Sequence, residues 1–332
     1  MIPDTLLPDV FAGLMALAIV MYAILDGYDL GVGMLLPAKN EHHRDIMIAS
    51  IGPFWDANET WLVLAVGLLL IAFPQAHSLI LGELYLPVVV MLIGLILRGV
   101  AFDFRAKVRQ GRKELWDKLF KIGSYLAAGI QGFMLGLYVM GFENDPVAYG
   151  FALLSAAGVI AAFRLIGACW LVMRTENELQ KEALEWAKET LFICVAGIFT
   201  VCLVNPLANP AIFHKWFSGS GLIMLAIVPT LAILSLVLLG RALNSRRVFE
   251  DKYCIRPFAL VVLLFLTCFA GLAFSFYPYV VPGNMTIQAT ASAPESLRFI
   301  LIGALIVMPC ILAYTAFSYR VFRGKVTELR YH

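Results

Sequence analysis

The chain has 332 residues, of which 61% are hydrophobic and 14% are charged, and its formal net charge is +2. A mean hydropathy of +0.84 excludes a soluble globular domain and a disordered tail. The small net charge comes without a basic face or an aromatic-basic module, which argues against a nucleic-acid partner. The composition therefore predicts an all-α, polytopic membrane protein.

Apolar segments that can cross a bilayer as helices of about 20 residues recur along the whole chain. Nine spans are predicted, at residues 8–25, 53–73, 79–101, 122–142, 149–173, 189–207, 219–240, 257–277 and 297–322. The first span can continue to residue 36, and we interpret it as retained because no basic segment precedes it. Residues 37–50 and 103–121 are predicted as loops, and residues 174–188 as a polar amphipathic connection.

Lysine and arginine accumulate after the odd-numbered spans and are almost missing after the even-numbered ones. Positively charged loops stay on the cytoplasmic side of a membrane. This alternation places the N-terminus outside and the basic C-terminal tail in the cytoplasm, and the odd number of spans agrees with it.

The segment 51–61, Ile-Gly-Pro-Phe-Trp-Asp-Ala-Asn-Glu-Thr-Trp, cannot be explained by its apolar surroundings. The apolar run after it, 62–73, is too short to cross the membrane, so the helix is predicted to begin near Pro53. Asp56 and Glu59 then lie one turn apart at the membrane boundary. An ionisable residue there costs roughly 2.5–3.5 kcal/mol and is a functional-site hypothesis by default.

Further charged residues are predicted at the same end of the neighbouring spans. The orientation puts Asp26 and Asp29 near the cytoplasmic end of the first span, and Arg98 and Asp103 at the cytoplasmic end of the third. Consecutive helices are usually neighbours, so these residues can join the acids of the second span, with Arg98 as counter-ion. Such carboxyls can pass protons. The alternative is a purely structural group of charges that satisfy one another, with Asp29 and Asp103 at the level of the lipid headgroups.

One more cation, Arg164, falls inside the fifth span. We interpret it as a side chain that snorkels to the cytoplasmic interface.

No metal site is predicted within the chain. The histidines all fall in predicted loops or the tail, at His42, His43, His77, His214 and His332. A membrane haem normally requires an axial histidine. The six cysteines have no paired spacing and are interpreted as core residues, and no spacing fits copper, zinc or iron–sulfur ligation.

Three motifs in this order resemble subunit 2 of the cytochrome bd family of quinol oxidases. They are Leu-Asp-Gly-Tyr-Asp-Leu-Gly-Val-Gly-Met-Leu at 25–35, the segment 51–61, and Arg-Gly-Val-Ala-Phe-Asp-Phe-Arg-Ala-Lys at 98–107. Residues 276–282 and 314–317 are also similar to that family, so the resemblance covers most of the chain. The short connection at 208–218 resembles the cyanide-insensitive branch.

The resemblance implies two four-helix bundles plus one peripheral helix. The first bundle is expected at residues 1–142 and the second at 143–277. Residues 278–332 are then an outer loop, the peripheral helix and the cytoplasmic tail.

The resemblance also implies a partner, subunit 1, which carries two haems b and one haem d and oxidises quinol near the outer face of the bacterial cytoplasmic membrane. The complex reduces dioxygen to water with cytoplasmic protons and so generates a membrane potential. This chain would stabilise the haem-bearing subunit and contribute a proton path. A small accessory transmembrane subunit, membrane lipid and a structural quinone are further expected partners.

Matching motif positions assign roles to individual residues. Asp56 is implied to be the proton-conducting acid, with Trp55 and Arg98 beside the interface with the haem-bearing subunit. Glu59 is included because it lies beside Asp56. A carboxyl is not expected at this position in every relative of the family. The remaining acids of the implied path are Asp26, Asp29 and Asp103.

Two other function classes fit the same acids. A proton-coupled secondary transporter would use buried carboxyls and an arginine, but such folds show paired broken helices in two related halves. No repeat of the Asp56 region occurs in the second half of the chain. A purely structural scaffold with silent acids is the third hypothesis.

Overall fold

The computed structural model describes residues 3–37, 40–108, 112–208, 210–219 and 221–326. The end of the predicted basic tail, residues 327–332 with His332, lies outside the described residues.

The described chain folds into helices joined by short turns, with one small hairpin. The helices are α1 (Leu7–Leu35), α2 (Glu41–Ile51), α3 (Trp55–Ala72), α4 (Pro74–Lys107), α5 (Lys113–Val139), α6 (Pro146–Arg174), α7 (Asn177–Ala208), α8 (Pro210–Trp216), α9 (Gly221–Leu243), α10 (Ile255–Phe276), α11 (Ile287–Thr290) and α12 (Pro294–Val321). Strands β1 (Tyr279–Val281) and β2 (Met285–Thr286) pair antiparallel.

Eight helices in the described part of the chain are long and apolar enough to cross a membrane: α1, α3, α4, α5, α6, α9, α10 and α12. They coincide with eight of the nine predicted spans and confirm an all-α, polytopic membrane protein. The remaining predicted span, 189–207, forms the second half of α7 and is helical. Its crossing of the membrane stays a prediction.

Two segments predicted as loops, 37–50 and 103–121, are mainly helical, so both predictions are wrong. Residues 37–50 contain α2, which begins where the Asn40 side chain accepts a hydrogen bond from the His43 amide at 3.1 Å. Most of 103–121 belongs to the ends of α4 and α5. The polar amphipathic connection predicted at 174–188 is mainly the first part of α7. Charged residues such as lysine, arginine and glutamate are good helix formers, so a helix does not end where its apolar face ends.

Helix α1 lies at the centre of the fold, and residues 24–35 are all buried. It packs against α3, α5, α6, α10 and α12. The closest approach is to α6, where a Cβ added at Gly167 would lie 2.5 Å from the Gly31 carbonyl carbon and 2.6 Å from the Val32 amide nitrogen. Glycine is required at this crossing because it lets two membrane helices touch through their backbones.

Helices α5 and α6 run antiparallel and also pack through small residues. A Cβ at Gly132 would meet the Ala156 Cα at 2.6 Å, and the Cβ of an alanine at Gly136 would overlap Ala152. The chain reverses between them at Gly141, whose φ of +66° favours glycine. The predicted bundle boundaries at residues 142 and 277 stay a prediction, since α1 and α6 pack directly across the first of them.

The two ends of the helix assembly differ in charge. We call the end where α1 and α4 end and α3 and α5 begin the basic end; it carries Arg44, Arg105 and Lys113. At the opposite end, the segment around α11 is tied to the start of α1 by Gln288, which donates to the Asp9 carboxylate at 3.0 Å. The fold therefore gives the acids of α1 and α3 a defined depth, close to the basic end.

We expect Gly167→Ala to lower the yield and thermal stability of the membrane-inserted protein, because the new methyl group would push α1 and α6 apart. Overpacking of this kind costs roughly 1–3 kcal/mol or more. Gly158→Ala on the same helix is the control, since a Cβ there meets nothing within 4 Å. Equal melting temperatures for the two variants would contradict this packing.

Candidate functional site

A group of polar side chains lies inside the helix assembly near the basic end. It consists of Asp26, Asp29, Asn58, Glu59 and Arg98, and we call it the acid cluster. The two aspartates of α1 lie six and nine residues before the helix ends at Leu35, which is about 9–14 Å along the axis.

Arg98 of α4 is the cation of the acid cluster. Its Nη2 contacts Asp26 Oδ1 at 2.7 Å and Glu59 Oε1 at 2.5 Å. The side chains of Arg98 and Asp26 are 1% and 0% exposed, whereas Glu59 is 29% exposed. Glu59 therefore joins a fully buried ion pair to the surface of the chain.

Asn58 of α3 holds the second aspartate. Its Nδ2 donates to Asp29 Oδ2 at 2.7 Å, and it also lies 2.9 Å from the Tyr28 hydroxyl. The Tyr28 hydroxyl in turn lies 2.5 Å from the hydroxyl of Tyr319 on α12. A hydrogen-bonded chain thus runs from Asp29 to the last helix of the protein.

Aromatic rings enclose this hydrogen-bonded chain. Tyr28 stacks on Trp170 with ring centroids 4.1 Å apart, and Tyr319 stacks on Phe54 at 4.5 Å. Rings of this kind shield polar atoms from solvent and strengthen their electrostatic interactions.

The acid cluster contains more acids than bases. Three carboxyl groups, those of Asp26, Asp29 and Glu59, face the single guanidinium of Arg98. Asp26 Oδ2, Asp29 Oδ1 and two nitrogens of Arg98 are buried without a hydrogen-bond partner in the described part of the chain. Buried polar groups are usually satisfied, so the cluster retains capacity to bind protons or water.

The structure separates the other predicted site residues from the buried ones. Asp56 is exposed, three residues before Glu59 on α3, and Trp55 is half-buried with the Arg98 guanidinium 6.0 Å from its ring centroid. Asp103 is exposed and does not share the cluster. It follows Arg98 by five residues, which rotates it by about 140° around α4, so the predicted convergence is wrong for Asp103.

A second group of charges, which the sequence did not predict as a site, lies at the basic end. Arg44 Nε donates to one oxygen of Asp117 at 2.7 Å, and Arg105 Nε donates to the other. Arg105 also contacts Asp45 at 2.8 Å, and Lys113 lies 3.3 Å from the same carboxylate and 3.7 Å from Glu41. These pairs join α2, α4 and α5, and we call them the basic-end network.

Asn58, Tyr28 and Tyr319 also belong to the site although sequence reasoning gave them no role. The first two lie inside the motifs at 51–61 and 25–35, which was the available signal. Tyr319 contacts residues nearly three hundred positions away, and no periodicity in the sequence indicates such a contact.

Metal-binding side chains do not cluster in the described chain: no group of three or more histidine, cysteine, aspartate or glutamate residues could hold an ion there. The described histidines are not in loops as predicted. His42 and His43 lie in α2, His77 lies in the first turn of α4, and His214 lies in α8.

We expect Arg98→Gln to destabilise the folded protein by about 3–5 kcal/mol, because it leaves Asp26 buried without its cation. Thermal unfolding of the purified protein measures this effect. Arg320→Gln, at an exposed position near the end of α12, is the matched control. An unchanged melting temperature for Arg98→Gln would contradict the assigned ion pair.

We expect Tyr319→Phe to cost about 0.5–1.5 kcal/mol, the usual contribution of one hydrogen bond, while the stacking on Phe54 is kept. Tyr314→Phe, on the same helix but with Tyr314 62% exposed, should have no effect. Comparing the melting temperatures of both variants tests the link, and equal values would show that the Tyr319 hydroxyl is not bonded.

Comparison with known proteins gives a consistent result. The curated relatives include cytochrome bd ubiquinol oxidase subunit 2 of Bacillus subtilis, 29% identical over 97% of both chains. They also include cytochrome bd-I ubiquinol oxidase subunit 2 of Escherichia coli, 27% identical over 95% of this chain and 94% of the relative.

The fold is similar to a chain in the structure of bd oxidase from Geobacillus thermodenitrificans, with a TM-score of 0.78, 16% identity, and coverage of 95% of this chain and 98% of that one. Residues 7–322 match the family of cytochrome bd terminal oxidase subunit II. Because this match covers nearly all of the helices described above, the chain belongs to the cytochrome bd terminal oxidase subunit II family.

Proposed function

We propose that this chain is the second subunit of a membrane-bound quinol oxidase that reduces dioxygen to water, and that its acid cluster delivers protons toward the partner subunit. Membership in the subunit II family and the names of the relatives support the oxidase. The observation that carries the proton role is the acid cluster itself, which is buried at Asp26 and reaches the surface through Glu59.

The exposed side of the cluster is the surface we assign to the partner. Asp56 and Thr60 of α3, beside Glu59, are both exposed on a helix that is long and apolar enough to span a membrane. Charged side chains are rarely placed against lipid because of their insertion cost. A second protein subunit covering these residues removes that cost.

The haem groups are assigned to the partner. The described histidines of this chain lie in α2, in α8 or in the first turn of α4, and His43 contacts Glu182 at 3.2 Å. These positions do not fit an axial ligand pair in a membrane interior, so we derive no step through a haem in this chain. Haem supplies the oxygen and electron chemistry of the complex when bound by subunit 1.

The orientation follows from charge. With the basic end in the cytoplasm, the acid cluster lies within about 15 Å of the cytoplasmic ends of its helices. The N-terminus is then outside, and the described part of the C-terminal segment is inside. Protons from the cytoplasm would then reach the acid cluster over a shorter distance than protons from the opposite side of the membrane.

Charge balance explains how the cluster can hold a proton. A buried charge needs a partner, and Arg98 can balance one carboxylate. A proton on each of the other two acids completes the balance, and Arg98, which contacts both Asp26 and Glu59 through Nη2, keeps those two carboxyls close. Protons then exchange among Asp26, Asp29, Glu59 and Asp56, with water or the partner subunit as the next acceptor.

The other hypotheses are less well supported. A secondary transporter would use similar acids, but residues 7–322 match a family of oxidase subunits. A purely structural group of acids would require balanced charges, as in the basic-end network. The cyanide-insensitive branch, a small accessory subunit and a structural quinone stay predictions.

We expect Asp56→Asn to lower quinol-driven oxygen consumption by roughly 10- to 100-fold, since the amide cannot carry a proton and acid–base groups contribute at least this much. Oxygen uptake and charge separation in membrane vesicles measure the effect. The haem absorbance spectrum should remain, because Asp56 is exposed on this chain and supports no core contact.

Asp251→Asn is the control, since Asp251 is an exposed acid in the turn between α9 and α10, at the same end of the protein. Normal turnover and normal charge separation in Asp56→Asn would refute the proton role. Purification of the chain alone, without a haem-bearing partner, would instead refute the oxidase assignment.

A further inference from the structure

Two cations that do not belong to the acid cluster, Lys121 and Arg164, lie on the neighbouring helices α5 and α6. The antiparallel register of these helices pairs Gly132 with Ala156, and Gly129 with Ile160, whose side chain would lie 3.4 Å from an added Cβ. Continuing this register by one turn places Arg164 opposite Tyr125. Lys121 then lies one turn, about 5.4 Å, nearer the basic end.

The side chains of Lys121 and Arg164 converge at the level where α1 ends. Lys121 Nζ donates to the carbonyl oxygen of Leu36, the residue that follows α1, at 2.9 Å. Arg164 lies near enough for its positive charge to repel that of Lys121. An arginine side chain placed inside a span extends toward the membrane boundary, so both charges meet at headgroup depth.

Neither cation is neutralised by a carboxylate within the described residues. Arg164 Nε is buried without a hydrogen-bond partner there, and no described acid forms an ion pair with Lys121. Arg98, Arg44 and Arg105, in contrast, each contact at least one carboxylate. Two adjacent unneutralised cations, one with a desolvated nitrogen, are unfavourable unless an anion binds them.

The surroundings identify the anion. Ile122, next to Lys121, is 55% exposed, so an apolar side chain suited to contact acyl chains lies beside this cation. Basic pockets between membrane helices on the cytoplasmic side bind anionic lipid headgroups. We propose that Lys121 and Arg164 bind the phosphate group of an anionic phospholipid in the leaflet at the basic end.

The proposal is independent of the oxidase activity and is tested by lipid binding. The purified complex in detergent is titrated with phosphatidylglycerol or phosphatidylcholine, and bound lipid is counted by native mass spectrometry. We expect one phosphatidylglycerol to be retained in preference to phosphatidylcholine. The double variant Lys121→Gln with Arg164→Gln should weaken its binding by roughly 10- to 30-fold.

Two further variants keep the test decisive. Lys121→Gln alone should give an intermediate loss if the double variant does not assemble, and Arg241→Gln, an exposed cation at the end of α9, should retain the lipid. Equal binding of both lipids, or unchanged binding in the Lys121 variant, would overturn the proposal. Displacement of the lipid by millimolar inorganic phosphate would also overturn it and would assign a free-anion site.

Discussion

The buried ion pair between Arg98 and Asp26 is the interaction on which the site depends. Both side chains are almost fully removed from solvent. Burying either charge without the other would strongly destabilise the folded protein. The pair fixes α4 against α1, and Glu59 extends it onto α3. Three helices that a lipid environment alone would not hold in register are thus tied at one depth.

The basic-end network and the acid cluster differ in their charge balance. This difference indicates that the network has a structural role and the acid cluster the proposed functional one. In the basic-end network, three cations face three acids, including Glu41 at 3.7 Å from Lys113. A balanced network of this kind fastens α2, α4 and α5 together. The acid cluster has one cation for three acids, an excess that folding does not require and that proton transfer can use.

Sequence reasoning predicted the parts of the site that depend on depth. The alternation of positive loops placed Asp26, Asp29 and Glu59 near Arg98, and the structure brings these four together. The sequence did not predict positions that depend on rotation around a helix, as for Asp103. It also did not predict contacts between residues distant in sequence, as for Tyr319 and Asn58. Hydropathy also hides helices that continue past the membrane, which is why α2 and the ends of α4 and α5 were predicted as loops.

An experimental structure of the assembled complex, with the surroundings of Asp56 resolved, is the most direct measurement of the central claim. The account predicts that the Asp56 carboxyl is covered by the haem-bearing subunit and is joined by water or polar side chains to both Glu59 and that subunit. A carboxyl that faces lipid, or that is separated from the partner by a dry apolar layer, would contradict it.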